Sequence, residues 1–239
     1  MSCTTAMSHT SCSTSDRLTA IDIWRGVACL CMIVYHLAFD LCQFGFWRWE
    51  AFDSTPMWLF ERFIAWSFIL CAGISCRFSR SSIRRGLLCA GAGLLVVAAS
   101  FIVSVPILFG VLQLLSAGML LYGLVGRHLR WDRPVTPVLC IVLYALTAWW
   151  TERVEVGVRW LYWLGFRYDG FVSYDYFPLL PYLFLFALGV WLGEYIRAHR
   201  EARWLHPSGG RALAWMGRHT MLIYLVHQPV LYGVFALLY

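Results

Sequence analysis

Seven long apolar stretches run along the chain, at roughly 21–44, 57–78, 85–104, 107–126, 135–150, 178–197 and 215–238. A helix needs about 20 mostly apolar residues to cross the hydrocarbon core of a bilayer. The pattern therefore predicts an all-α fold, a polytopic transmembrane helical bundle of about seven spans. The fifth stretch is the short one, expected to lie tilted or partly in the interface. Little more than "SVPIL" separates the third from the fourth, and Pro106 there stops a helix. Residues 1–16, "MSCTTAMSHTSCSTSD", have neither the apolar core nor the basic flank of a cleavable signal. They read as a flexible polar tail, leaving 17–239 as one transmembrane domain.

One span breaks the apolar rule. Residues 22–40, "DIWRGVACLCMIVYHLAFD", carry Asp22, Arg25, His36 and Asp40. At 100° per residue, Arg25 and His36 lie close to three full turns apart and share a face. Asp22 is three residues before Arg25 and Asp40 four after His36, so both neighbour that face, with Cys29 and Met32 between. Ionisable groups at bilayer depth usually face a protein interior or a water-filled cavity. The stripe thus predicts an internal polar cavity running about 16 Å along the helix axis from Arg25 to His36. An elongated ligand would meet Arg25 with its anionic head and His36 with its reactive end. His36 suits a general base whose tautomer Asp40 sets. A structural role stays open for the others: Asp22 as a cap or partner of Arg25, and Asp40 in the headgroup layer.

Other spans add weaker candidates. In "MGRHTMLIYLVHQPVLYGVFALLY", His227 and Gln228 precede Pro229, which frees helix backbone groups and allows a kink at a cavity, and Tyr224 lies one turn earlier. Inter-helix hydrogen bonding is the competing reading. In "SYDYFPLLPY", Asp175 beside aromatic residues suits carbohydrate contact, and equally a helix N-cap. Gln113, a lone amide in "FGVLQLLSAG", is either a ligand contact or inter-helix glue. Ala72, Gly73 and Ser75 suit close helix packing; Ser67 is a possible cavity lining, and Glu61 with Arg62 reads as a mutual pair.

Composition supports the membrane reading. Of the 239 residues 60% are hydrophobic and only 13% charged, about half the charge of an ordinary soluble domain. The net charge of +6 comes entirely from arginine, since lysine is absent. The arginines cluster in alternate loops: Arg77, Arg80, Arg84 and Arg85; then Arg127, Arg130 and Arg133; then Arg197, Arg200, Arg203 and Arg211, with Arg218 beginning the last span. Cytoplasmic loops carry excess positive charge, so the N-terminus is expected inside and the C-terminus outside. The charge then reports topology and not nucleic-acid binding. The outer loop 151–177 is long enough to cap the bundle or form an interfacial helix. Seven of nine cysteines lie in or beside apolar segments with no CxxC spacing, which argues for small hydrophobes rather than a disulfide framework or metal site.

"RLTAIDIWRGVACLCMIVYHLAFDL" resembles the first helix of bacterial membrane proteins related to the heparan-α-glucosaminide N-acetyltransferase catalytic domain. These belong to a wider superfamily with the integral-membrane acyltransferase-three proteins, whose first helix has an Arg, ten residues, then a His. Arg25 and His36 have that spacing. "FILCAGIS", "DYFPLLPYLFLFALGVWLG" and "GRHTMLIYLVHQPVL" are similar to the same group, in matching order. The resemblance implies a multi-pass protein of the cytoplasmic (inner) membrane. It would take an acyl group, acetyl above all, from cytoplasmic acyl-CoA to a hydroxyl or amine of a glycan or glycoconjugate on the far side, with no metal.

The family's histidine would then be His36, oriented by Asp40, and its arginine Arg25. Arg25 would meet the pantetheine or phosphate part of CoA, aided by Arg80, Arg84 and Arg85. Further substrate contacts would come from His227, Gln228, Tyr224, Asp175 and Gln113, though relatives often carry His where this chain has Gln113. About seven spans is fewer than in the larger acetyltransferases, which makes a homodimer one source of missing parts. Two other readings remain from the residues: a proton-coupled transporter with Asp22, His36, Asp40 and His227 as relay, and a non-catalytic component of cell-envelope assembly.

Overall fold

A computed structural model describes residues 18–154 and 158–238; the tail expected at 1–16 lies outside them, as does Glu155 of the loop expected to cap the bundle. The helices in chain order are α1 (Thr19–Gln43), α2 (Trp49–Phe52), α3 (Thr55–Phe78), α4 (Ser82–Ile102), α5 (Val111–Leu124), α6 (Val135–Arg153), α7 (Leu179–Ala198), α8 (Arg211–Arg218) and α9 (Thr220–Leu238). Six of them, α1, α3, α4, α6, α7 and α9, are long and apolar enough to cross a membrane, and α5 is a shorter apolar helix. This is the expected polytopic bundle.

The short member is the fourth apolar stretch, not the fifth. α6 has 19 residues, whereas α5 has 14 and spans about 21 Å. Backbone pairing explains the difference. α4 ends with Ser104 in the left-handed region at φ 58°; Val105 N–H reaches the Ser100 carbonyl and Ser104 N–H that of Phe101, the paired bonds that close a helix C-terminus. Residues 106–109 then run extended beside the segment before α7. Tyr174 N–H donates to Pro106 O, Phe177 N–H donates to Phe109 O, and Phe109 bridges Tyr176 in parallel. Apolar residues assigned to a span are held here as loop.

α3 is the central helix, packed along α7, with α1 on one side and α5 on another. A β-carbon on Gly73 would lie 2.3 Å from the Phe186 carbonyl oxygen, so the expected small-residue contact is the α3–α7 crossing. Where these helices reach the arginine-rich end, Arg77 donates to the Tyr122 hydroxyl and pairs with Glu194, which also takes Arg197 at 2.5 Å. The last apolar stretch is two helices broken at His219. α8 folds back on the start of α1: a β-carbon on Gly217 would sit 1.8 Å from Asp22 O, and one on Gly26 2.0 Å from Leu213 O. α6 packs on α7 and α9 on α1 and α8. Both leave most of their apolar side chains exposed, as helices bordering lipid do.

Candidate functional site

A cavity of about 690 Å³ lies toward the aromatic end of the bundle, away from the clustered arginines. His36 and Asp40 of α1, Tyr224, His227 and Gln228 of α9, and Asp175 of the segment before α7 all line it. Six of the eight residues expected at a site thus converge.

The histidines form its centre. Their ring centroids are 4.7 Å apart with planes at 76°. His36 Nδ1 lies 2.9 Å from the Met32 carbonyl, and His227 Nδ1 lies 2.8 Å from that of Tyr224. A carbonyl only accepts, so each Nδ1 carries the proton and each neutral ring presents Nε2 as its basic nitrogen. Their own helix backbones, and not Asp40, therefore set both tautomers. This corrects the expected His36–Asp40 pairing. Asp40 is fully buried and accepts from Gln228 Nε2 at 2.8 Å. The second Asp40 oxygen, Gln228 Oε1 and His227 Nε2 are buried without a hydrogen-bond partner among the described residues. Buried polar groups are nearly always bonded, so three such atoms at one cavity mark a place for water or ligand. Pro229 lies within α9 and lacks the N–H that would otherwise bond the Leu225 carbonyl; Leu225 also lines the cavity.

Asp175 caps a helix, but α5 rather than the α7 that follows it in the chain. Its Oδ2 accepts Val111 N–H at 3.2 Å, placing a carboxylate at the positive end of α5, and it faces the cavity. Gly110 permits this approach, since a β-carbon there would lie 2.2 Å from that oxygen. Burial raises the carboxyl to about 6, the Val111 N–H opposes the rise, and the charge of Glu61 adds to it.

Two expected site residues lie elsewhere. Gln113 has both ends of its amide engaged, Oε1 accepting Gly110 N–H at 3.0 Å and Nε2 donating to Gly93 O at 3.2 Å. It caps α5 and ties it to α4, the glue reading, and does not line the cavity. Arg25 lines a separate cavity of about 380 Å³ at the arginine-rich end, with Asp22, Ser75, Ser79, Arg85 and Arg218. It donates to Asp22 at 3.3 Å, Gly217 O at 3.1 Å and Ser75 Oγ at 2.8 Å, and Arg85 donates to Ser75 O at 3.2 Å. Arg80 and Arg84 are exposed and outside it.

The single polar cavity expected from Arg25 to His36 is thus two. Ala28, Cys29 and Met32 of α1 close on Ile64 and Phe68 of α3 between them, and the one hydroxyl of α3 at that level, Ser67, is already engaged. Ser67 lines neither cavity and accepts from Trp24 Nε1 at 3.1 Å.

Glu61 went unrecognised in the sequence. Its ion pair with Arg62 is loose, at 3.9 Å; the Arg62 guanidinium lies over Trp58 at 5.3 Å and donates to the Tyr182 hydroxyl. Glu61 lines the cavity with Ala65 and Phe68. The available signal was spacing, since residues 61, 65 and 68 share one face of α3.

The chain matches the family described as "Heparan-alpha-glucosaminide N-acetyltransferase, catalytic" over residues 17–229. No curated protein and no solved structure matches it. With a match over most of its length and a bundle of membrane-length helices around a histidine-lined cavity, the chain belongs to the heparan-alpha-glucosaminide N-acetyltransferase catalytic family, multi-pass membrane proteins of acetyltransferase type.

Proposed function

We propose that this protein moves an acyl group, acetyl above all, from acyl-CoA to a hydroxyl or amine of a glycan or glycoconjugate across the cytoplasmic membrane. The observation that carries the reading is the histidine pair, 4.7 Å between centroids, in a cavity with unpartnered buried polar atoms. The arginine-lined cavity supports the donor half. Arg85 and Arg218 present guanidinium groups suited to the CoA phosphates. Arg25, bonded to α1, α3 and α8, shapes the same wall. With the clustered arginines facing the cytoplasm, donor and acceptor approach from opposite sides, and the acyl-bearing arm of the donor parts Met32 and Cys29 from Ile64 and Phe68 to bring the thioester to His36.

In the transfer step, His36 Nε2 takes the proton of the acceptor O–H or N–H as that atom attacks the thioester carbonyl. The C–S bond breaks, the proton passes from the imidazole to the departing thiolate, and CoA leaves as the thiol. His227 lies against His36 to share that proton, and Asp40 with Gln228 holds the acceptor's polar groups. Passage through an acyl-histidine would use the same Nε2 as nucleophile, with a second displacement by the acceptor.

The test gives the purified protein, in lipid nanodiscs, acetyl-CoA labelled in its acetyl group. Binding, acceptor-dependent CoA release and label on the protein are then compared between wild type and His36→Ala. The expected result is saturable binding by both proteins and acceptor-dependent release by wild type alone. Folded wild type that binds no acetyl-CoA would overturn the reading, and label held on wild type but not on the variant would establish the acyl-histidine route.

A further inference from the structure

The cavity is polar at one end, apolar at the other, and open on the apolar side. His36, Asp40, His227 and Gln228 hold its polar end. The facing wall is α4, where Leu95, Val96, Ala99 and Ile102, with Val103 just past its end, are apolar; Ser100 also lines it, but its hydroxyl is taken up by Val97 O and Ile107 N–H. Leu95 and Ile102 are not core positions: they are 61% and 84% exposed, although both line the cavity. Across from them on α9, Pro229 and Tyr232 are also exposed. α4 packs along α5, and α9 along α1 and α8, and exposed residues of both α4 and α9 line the cavity, which points to the space between these two helices as its side opening. Both helices are membrane-length, and their exposed sides therefore meet hydrocarbon.

The aromatic end is roofed. Phe39 and Tyr174 line the cavity there with ring centroids 6.2 Å apart, and Phe39 also packs edge-on against Trp49 and Phe52 of α2. A hydrated oligosaccharide arriving from that side would have to part these rings. A molecule already in the bilayer needs only to slide between α4 and α9.

We infer that the acceptor is a membrane-embedded amphiphile, a lipid-linked sugar or amino-alcohol. It enters sideways between α4 and α9, lays its hydrocarbon chain along Leu95–Val103 and delivers its polar head to the histidine pair. Chemical complementarity selects this occupant: an ordinary lipid tail would leave the buried Asp40, Gln228 and His227 atoms unpartnered, and a soluble sugar would leave the apolar wall uncovered. The inference rests on the acyltransferase reading for the chemistry, but its binding half stands apart from it.

The experiment uses the full chain in nanodiscs of phosphatidylethanolamine and phosphatidylglycerol. The first probe is a dodecyl glucosaminide bearing a diazirine on its chain. The expected result is saturable cross-linking to peptides from α4 and α9, competed by unlabelled dodecyl glucosaminide and not by methyl glucosaminide or added phospholipid. Cross-linking that phospholipid competes equally would show a lipid-filled groove only and overturn the inference. So would saturable labelling elsewhere, as at a second-copy interface, or none. The second measurement is acetyl-CoA-dependent transfer to the dodecyl and methyl acceptors by wild type and Ala99→Trp. The variant is expected to lower the ratio of dodecyl to methyl transfer at least about tenfold. Equal transfer to both acceptors by both proteins would overturn the lateral route while leaving the acyltransferase reading intact. Specific cross-linking without any transfer would do the reverse.

Discussion

The two ends of α1 use ionisable residues in opposite ways. Near its start, Arg25 donates to acceptors on three helices, and Gly26 and Gly217 let α8 close on α1 at backbone distance. Near its end, Asp40 has one oxygen bonded and one bare, and the histidine beside it meets a second histidine across a cavity. Both ends look alike in sequence, a charged group amid apolar ones. A group whose bonds are complete fastens helices together, whereas buried polar atoms left without partners mark where something else is meant to bind.

The largest effect should come from the unsaturated end. His36→Ala and His227→Ala are each expected to lower acceptor-dependent CoA release by about 10²–10⁴-fold, the range for a general base. Elution and thermal midpoint should stay close to wild type. If His227→Ala retains full activity, the pair is not a unit and His36 acts alone.

The saturated end should fail differently. Gly217→Val would force α8 off the Asp22 carbonyl, costing about 3 kcal/mol as overpacking does, visible as a lowered thermal midpoint before any catalytic assay. Arg85→Ala and Arg218→Ala lie between the extremes. Each should raise the KM for acetyl-CoA about tenfold, roughly 1.4 kcal/mol, with kcat unchanged. A fall in kcat at constant KM would remove the second cavity from donor binding.

Gln113→Leu sharpens the contrast from outside both regions. It leaves Gly110 N–H and Gly93 O without their amide partner, costing about 1 kcal/mol, and should leave acceptor KM untouched. The last contrast is a pH dependence. The Asp175 carboxyl rises from 3.8 to about 6 in the fold, so between those values the folded protein binds more protons than the unfolded chain. Stability from this group is greatest at low pH and falls as pH rises from about 4 to 6. Thermal midpoints across that window should show the slope, and Asp175→Asn should flatten it while keeping an oxygen for Val111 N–H.

Much of this molecule was legible in one dimension. Helices separated by arginine-bearing loops follow from hydropathy because lipid accepts only backbones that satisfy their own hydrogen bonds. His36 and His227 stood out as candidates for a related reason: a histidine deep in an apolar run needs a cause. Gln113 shows the limit, since an amide that ties α5 to α4 and one that touches a ligand look identical without their partners. Glu61 shows the same limit in reverse: its pairing with Arg62 is present at 3.9 Å, but adjacency in the chain could not show that it also lines the cavity.

By itself the sequence determined the class of fold, the run of membrane-length helices and the residues worth suspecting, because these depend on local composition and period. Tertiary structure alone decided that the polar stripe of α1 serves two cavities. The divide between them is Met32 and Cys29 meeting Ile64 and Phe68, a contact between helices. It also decided the histidine pairing, because His36 and His227 are 191 positions apart in the chain and only the packing of α9 on α1 brings their rings together.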